Sequence, residues 1–200
     1  MIEEPIIITE VEDPLPEYKK DYSFNYSEMN YFNIVLFISS FLVFGGIFIF
    51  VWGPRHTWFE ANKYIFNAFI TIPVIIGGIF LHEGLHALFL LLFSNSKLKD
   101  LKAGINWINF TPYIHCKHAV PVSTYRISSA APAVILGFIP VIIGIINGFF
   151  PLLFFGIIFI VTAGADILSI WKLRKAKGNY LASDHPDRAG CFVFENPFEE

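Results

Sequence analysis

The stretch FLHEGLHALFL, residues 80–90, places two histidines and a glutamate inside an apolar run that covers residues 64–93. On a helix, His82 and His86 lie one turn apart and about 40° from each other, so both imidazoles reach the same side. Glu83 lies beside them. Ionisable side chains are costly in hydrocarbon, and those that occur there are candidates for function. We therefore start from these three residues.

The spacing His-Glu-x-x-His is typical of a metal site that hydrolyses peptide bonds. Two neutral imidazoles bind the ion, and the adjacent carboxylate takes a proton from the attacking water and returns it to the leaving amine. We predict His82 and His86 as metal ligands and Glu83 as the general base. The alternative is a hydrogen-bonded cluster between helices that holds no metal.

The composition of the chain is that of a membrane protein. Its 200 residues are 54% hydrophobic and 18% aromatic, which is too apolar for a soluble domain that must also present a polar surface. The net charge is −3, and the Lys and Arg residues flank apolar runs without forming a continuous basic track, so no nucleic acid partner is expected. Cys116 and Cys191 are too few for a disulfide framework, and we expect free thiols on a reducing side.

Four segments are long and apolar enough to cross about 30 Å of hydrocarbon as helices. The segment 94–125 is too polar to span and alternates apolar with polar residues, as a half-buried strand or hairpin does. Its edge would hold an extended peptide by strand addition; a loop that lies on the membrane is the alternative. We predict an all-α integral membrane protein with four transmembrane helices and a short cytoplasmic strand or hairpin insertion between helices 2 and 3. The predicted helices are residues 34–52, 64–93, 127–146 and 149–171.

The chain divides into a polar, acidic N-terminal tail (1–30), a four-helix transmembrane domain (31–177) and a C-terminal tail (178–200). We expect most of the N-terminal tail to be disordered. Four spans place both tails and the segment 94–125 on one side, which has twelve of the fourteen Lys and Arg residues. By the positive-inside rule this side is cytoplasmic. The expected protein is a multi-pass protein of the cell membrane with cytoplasmic N- and C-termini.

Asp166 is the one charged residue of the fourth segment before its end, in the sequence AGAD. A lone carboxylate in hydrocarbon must find a cation, a metal or a hydrogen-bond donor, or stay protonated. At about 1.5 Å per residue, His86 lies about 12 Å and Asp166 about 9 Å from the same end of the bundle. This common depth predicts Asp166 as the third metal ligand, with Gly164 next to it leaving room for an approach to Gly84. Three protein ligands and an open position are typical of catalytic zinc, so Zn²⁺ is the predicted cofactor.

The His-Glu-x-x-His helix, the proline of the third segment (Pro132) and the downstream Gly-x-Asp resemble the intramembrane site-2 proteases. They resemble more closely a family of small four-span prokaryotic membrane proteins described as zincin peptidases, over about residues 59–187. Two positions differ from the site-2 protease pattern, since Ile167 follows Asp166 where that pattern has Gly, and Ser129 stands where it has Asn. The resemblance implies a zinc-dependent membrane metalloendopeptidase.

The predicted activity is therefore hydrolysis of a peptide bond near the cytoplasmic membrane face, in a peptide or membrane-protein substrate. Two other classes stay open: a non-catalytic metal-binding membrane protein and a small transporter with a His/Asp pathway. Outside the spans, His115 is a candidate for contact with a substrate carbonyl. Asp184 or Asp187 is a candidate for a hydrogen bond to a ligating histidine if the C-terminal tail folds back under the bundle, and a turn built around Pro186 is the alternative. Nothing in the sequence assigns an oligomeric state.

Overall fold

A computed structural model describes residues 19–106, 111–185 and 188–195. Three helical rods in it, of 26 or 27 residues, are long and apolar enough to cross a membrane. Two of the rods join two α-helices through a π-helical turn. In chain order they are α1 (Tyr26–Ser40), the turn Phe41–Gly45 and α2 (Gly46–Trp52); α4 (Ala68–Phe93); and α5 (Val122–Pro132), the turn Ala133–Phe138 and α6 (Ile139–Asn147).

The fourth apolar segment is bent. Helix α7 (Phe150–Thr162) and helix α8 (Gly164–Leu173) meet at Ala163 at an angle of 52°. The structure thus has three membrane-spanning candidates, or four if the bent pair is one span. Helix α3 (Pro54–Glu60) and a π-helical turn (Ala61–Ile65) connect the first two rods.

The first rod begins at Tyr26, eight residues before the predicted start of the first span. The side chain of Asn25 accepts a hydrogen bond from the backbone amide of Glu28 (2.8 Å), which caps the helix. The Glu28 carboxylate then forms an ion pair with Lys172 near the end of α8 (Nζ–Oε1 2.9 Å). The first turn of this helix can therefore contain polar residues, because they lie at the helix end and have hydrogen-bond or ion-pair partners there. Of the tail predicted to be mostly disordered (1–30), residues 1–18 lie outside the described residues, while residues 19–21 form a strand and residues 26–30 belong to α1.

The strands form two sheets at one end of the bundle. The predicted hairpin between the second and third rods is present, with β2 antiparallel to β3. The second sheet has four strands in the order β1-β6-β5-β4 and combines residues from the N-terminal and C-terminal tails. The all-α description was therefore wrong in leaving this sheet out, because strands of two to four residues are too short to show an alternating pattern. The strands are β1 (Lys19–Asp21), β2 (Leu101–Asn106), β3 (Thr111–Cys116), β4 (Val120–Pro121), β5 (Leu181–Asp184) and β6 (Cys191–Phe194), and a 3₁₀ turn, Leu98–Asp100, precedes β2.

A buried cluster fixes the four-stranded sheet to the bundle. It joins Val122 at the start of α5 and Leu173 at the end of α8 to the sheet residues Ala182 and Val193. The guanidinium of Arg126 donates to the backbone carbonyls of Leu173 and Ala176 and so satisfies the C-terminal end of α8. The C-terminal tail thus folds back under the bundle.

Glycines allow the helices to pack closely. A Cβ atom at Gly144 of α6 would lie 2.6 Å from the backbone nitrogen of Leu153 in α7, and one at Gly78 of α4 would lie 1.9 Å from the ring of Phe159.

The expected approach of Gly164 to Gly84 was wrong. A Cβ atom at Gly164 would meet the Asn33 side chain of the first rod, and one at Gly84 would meet no atom of the described residues within 4 Å. Equal depth in the bundle does not make two residues face each other.

We expect Gly144→Ala to lower the free energy of unfolding by about 1–3 kcal/mol, because the backbones of α6 and α7 must separate to admit the methyl group. The matched control is Gly46→Ala, where a Cβ atom meets nothing within 4 Å. Thermal unfolding of both variants in detergent measures the difference. Equal melting temperatures for the two variants would contradict the close packing of α6 on α7.

The thiol of Cys191 provides a test of the four-stranded sheet. Burial raises the pKa of Cys191 to about 12. Since the thiolate is the reactive form, its fraction at pH 8 is roughly three orders of magnitude below that of a free cysteine. We expect Cys191 in a Cys116→Ala background to resist iodoacetamide in the folded protein and to react in denaturant. Rapid alkylation of the folded protein would show that β6 does not bury this side chain against the bundle.

Candidate metal centre

The structure brings His82, His86 and Asp166 together. Nε2 of His82 lies 3.3 Å from Oδ2 of Asp166, and Nε2 of His86 lies 3.5 Å from Oδ1 of the same carboxylate. The two Nε2 atoms are 3.2 Å apart. Ligands about 2.1 Å from a tetrahedral zinc ion lie roughly 3.4 Å from one another. The three donor groups therefore have the spacing that one such ion requires, and they form a possible metal-binding group.

Two elements position these donors, and a third connects them. Both histidines lie one turn apart on α4, and Asp166 lies in the first turn of α8, directly after the bend at Ala163. Helix α5 packs against both α4 and α8. The bend is thus what directs the start of α8, and with it the carboxylate, towards the histidines.

A pair of hydrogen bonds holds His86 to α5. Its Nδ1 donates to the backbone carbonyl of Ser128 (3.0 Å), and the hydroxyl of Ser128 donates to the backbone carbonyl of His86 (3.0 Å). Because Nδ1 carries the proton, Nε2 keeps its lone pair for a metal. The imidazole of His82 is buried, and its Nδ1 has no hydrogen-bond partner in the part of the chain that the structure describes. Packing therefore holds the Nδ1 side of that ring, while its Nε2 lies 3.3 Å from the Asp166 carboxylate.

A cavity of about 280 Å³ opens beside the three donors. Its walls come from the apolar helices, from the hairpin and from the four-stranded sheet. Glu83 lines it next to the histidines, and its carboxylate interacts with the backbone amide of Ile114 on β3. The cavity gives the carboxylate and the three donors a common space large enough for water and a segment of peptide. Other lining residues are Tyr113, His118, Tyr125, Ser129, Ser183 and Asp184.

Asp184 reaches this cavity because the C-terminal tail folds back as β5. Its carboxylate accepts a hydrogen bond from the hydroxyl of Tyr125. Burial raises the pKa of Asp184 above its ordinary value, and the Tyr125 hydrogen bond opposes that rise. The chain after α8 does fold back under the bundle, as the hypothesis for Asp184 required. The hydrogen-bond partner of Asp184 is a tyrosine of α5, however, and not a ligating histidine. Asp187 lies outside the described residues.

The residues around His115 are arranged differently from the expectation. The ring of His115 stacks on Tyr113, with 5.5 Å between the ring centroids, and His115 is not among the described residues that line the cavity. His118 lines it instead, and its Nε2 lies 3.1 Å from the hydroxyl of Ser96 and 3.6 Å from the thiol of Cys116.

Sequence reasoning missed Ser128 and Tyr125. Ser128 holds His86 chiefly through a backbone carbonyl, which no side-chain pattern reveals. Tyr125 has the aromatic character of an interfacial residue, and only the folded tail shows that its hydroxyl is used. The sequence feature that could have identified Ser128 is its position in the third segment, at about the same depth as His86.

The comparisons with known proteins agree with the chemistry of this site. The profile of one family matches residues 75–181, which include both histidines, Glu83 and Asp166. No curated protein and no solved structure matches the chain. The matched region covers more than half of the 200 residues and contains all three donors of the possible metal-binding group. The chain therefore belongs to the family whose description is "Putative zincin peptidase".

Proposed function

We propose that the protein is a membrane-embedded zinc metallopeptidase that hydrolyses a peptide bond near the cytoplasmic membrane face. The observation that carries this proposal is the spacing of 3.2 to 3.5 Å among the donor atoms of His82, His86 and Asp166, with Glu83 on the same cavity. Membership in a family of zincin peptidases supports it. Glu83, as a general base, distinguishes the proposed peptidase from a site that only binds metal.

In the proposed mechanism, His82 and His86 would hold the zinc through their imidazoles and Asp166 would hold it through its carboxylate. Bound zinc supplies a Lewis acid that lowers the pKa of water towards about 7. The carboxylate of Glu83 accepts the proton of the attacking water and gives it to the nitrogen of the leaving amine. The Ser128 carbonyl keeps the proton of His86 on Nδ1 throughout, so Nε2 stays a ligand.

The substrate we propose is an extended segment of a peptide or membrane protein. A helix hides its backbone carbonyls in its own hydrogen bonds, so the segment must unwind before attack. The cavity lies between β3 and β5, and β4 pairs only with Leu181 and Ala182 of β5. The remaining edge at Ser183 and Asp184 is thus not paired with β4. Such an edge can hold an unwound segment by strand addition.

The side that carries both sheets is, in this proposal, the cytoplasmic side. Twelve of the fourteen Lys and Arg residues belong to the tails, the hairpin segment and the adjoining helix ends, and the other two are Arg55 and Lys63. This asymmetry follows the positive-inside rule. The bilayer and the substrate segment are accordingly the partners we propose.

Metal content tests the ligand assignment. We expect about one zinc per chain in the purified wild type and in Glu83→Ala, and loss of zinc in Asp166→Ala, because removing one of three ligands weakens binding severely. The matched control is Asp184→Ala, which removes another carboxylate of the same cavity and should keep the metal. Elemental analysis of all four proteins decides the matter. A metal-free wild type would favour the transporter, and equal zinc in Asp166→Ala and wild type would remove Asp166 from the ligands.

Turnover tests the role of Glu83. We expect Glu83→Gln to keep zinc and to lose at least 100-fold in cleavage rate, because the amide cannot accept the proton. New protein N-termini in membranes that contain the wild type, and their absence with Glu83→Gln, provide the readout by mass spectrometry. If both membranes give the same N-termini while zinc is bound, the protein binds metal without catalysis.

A further inference from the structure

A second cavity, of about 290 Å³, lies between the edge of the four-stranded sheet and the chain segment that follows α8. None of its lining residues lines the cavity of the metal centre. Three of them are lysines, contributed by two parts of the chain that are distant in sequence. The lining consists of Lys20, Tyr22, Lys175, Ala176, Lys177, Tyr180, Val193 and Glu195.

The fold itself directs the lysines to this cavity. Lys20 lies opposite Val193 in the pairing of β1 with β6, and Val193 lies opposite Ala182 in the pairing of β6 with β5. Residues directly opposite each other share a face of the sheet, and Val193 and Ala182 are buried against the bundle. Lys20 therefore leaves the edge strand on the bundle side, towards Lys175 and Lys177.

The opposite wall of the cavity is the turn after α8, and hydrogen bonds hold it in place. Ala176, between the two lysines of the turn, donates its backbone amide to the carbonyl of Leu173 (2.8 Å), and its own carbonyl accepts from Arg126 (2.7 Å). These bonds hold the turn in place below α8. The lysines on either side of Ala176 are thus fixed at their backbones, which lowers the entropy lost when they bind a ligand.

The described contacts of the lysines in this cavity are with aromatic rings: Nζ of Lys20 lies 5.3 Å from the ring centre of Tyr22, and Nζ of Lys177 lies 5.5 Å from that of Tyr180. Within the ranges that the structure describes, no ion pair involves Lys20, Lys175 or Lys177. The single carboxylate of the lining, that of Glu195, accepts a hydrogen bond from the hydroxyl of Tyr180 (3.1 Å). The cavity therefore has an excess of two positive charges and suits an anion.

The depth of the cavity indicates which anion. Trp171 in the last turn of α8 is 60% exposed, and the guanidinium of Arg174 lies 4.1 Å from the centre of its ring. An exposed tryptophan with a cation beside it is typical of the membrane interface. Lys175, which lines the cavity, directly follows Arg174 in the chain. We therefore place the cavity at the level of the lipid headgroups. Basic pockets at this level bind anionic headgroups.

We propose that Lys20, Lys175 and Lys177 bind the phosphate of an anionic phospholipid headgroup in this cavity. A lipid bound there would contact both β1 and the turn after α8. It would join the N-terminal strand to the bundle at the membrane surface. This proposal does not depend on the peptidase activity.

The test is native mass spectrometry of the delipidated full chain with phosphatidylglycerol. We expect the triple variant Lys20→Gln, Lys175→Gln, Lys177→Gln to bind this lipid at least tenfold more weakly than the wild type, since each basic residue near a membrane surface contributes about fivefold. The control removes the same charge from the hairpin side, at the exposed residues Lys97, Lys99 and Lys117, and should leave the affinity unchanged. The single variant Lys175→Gln, with an intermediate loss, guards against a folding defect in the triple variant.

Two further arms distinguish the sources of phosphate and the kind of attraction. Phosphatidylcholine should not compete, and 10-fold excess inorganic phosphate should not displace the bound lipid. Displacement of the lipid by inorganic phosphate would overturn the proposal in favour of a soluble ligand. An equal loss of affinity in the hairpin control would overturn it in favour of attraction by overall charge.

Discussion

Three ionisable side chains in an apolar bundle need polar partners, because the apolar side chains around them offer none. This constraint explains the arrangement of His82, His86 and Asp166 and much of the fold around them. Helix α4 supplies two donors one turn apart, α7 and α8 bend so that the third can reach them, and α5 packs between α4 and α8. The hydrogen bonds between His86 and Ser128 then fix the helix that carries the donors to its neighbour.

The four-stranded sheet connects this centre to both ends of the described chain. Its edge strand comes from the N-terminal region, and its inner strands come from the region after α8. Through β5 the sheet contributes Asp184 to the cavity of the metal centre, and through Lys20 of β1 it contributes to the basic cavity. One small sheet thus adjoins two separate cavities, one beside the three donor groups and one lined by lysines.

Much of the site could be predicted from the sequence because its signals are local. The period of the helix places His82, Glu83 and His86 together, and depth along a helix is enough to associate Asp166 with them. Depth does not determine the direction in which a residue faces, which is why the approach of Gly164 to Gly84 was predicted wrongly. The sheet could not be predicted, since β1 and β6 pair across about 170 residues and each is too short for a pattern. Ser128 acts on His86 with a backbone atom, which the sequence does not display.

The bend at Ala163 relates the position of Asp166 to the combined length of α7 and α8. Straight, the 13 residues of α7 and the 10 of α8 would extend about 35 Å; with the 52° bend their end-to-end distance is about 31 Å. A thicker bilayer favours longer spans and a thinner one favours shorter spans. Straightening of this pair would turn the first turn of α8, with Asp166, away from the histidines of α4. If the bent pair spans a bilayer, we expect the bilayer thickness to act through this bend on the distance between Asp166 and the two histidines.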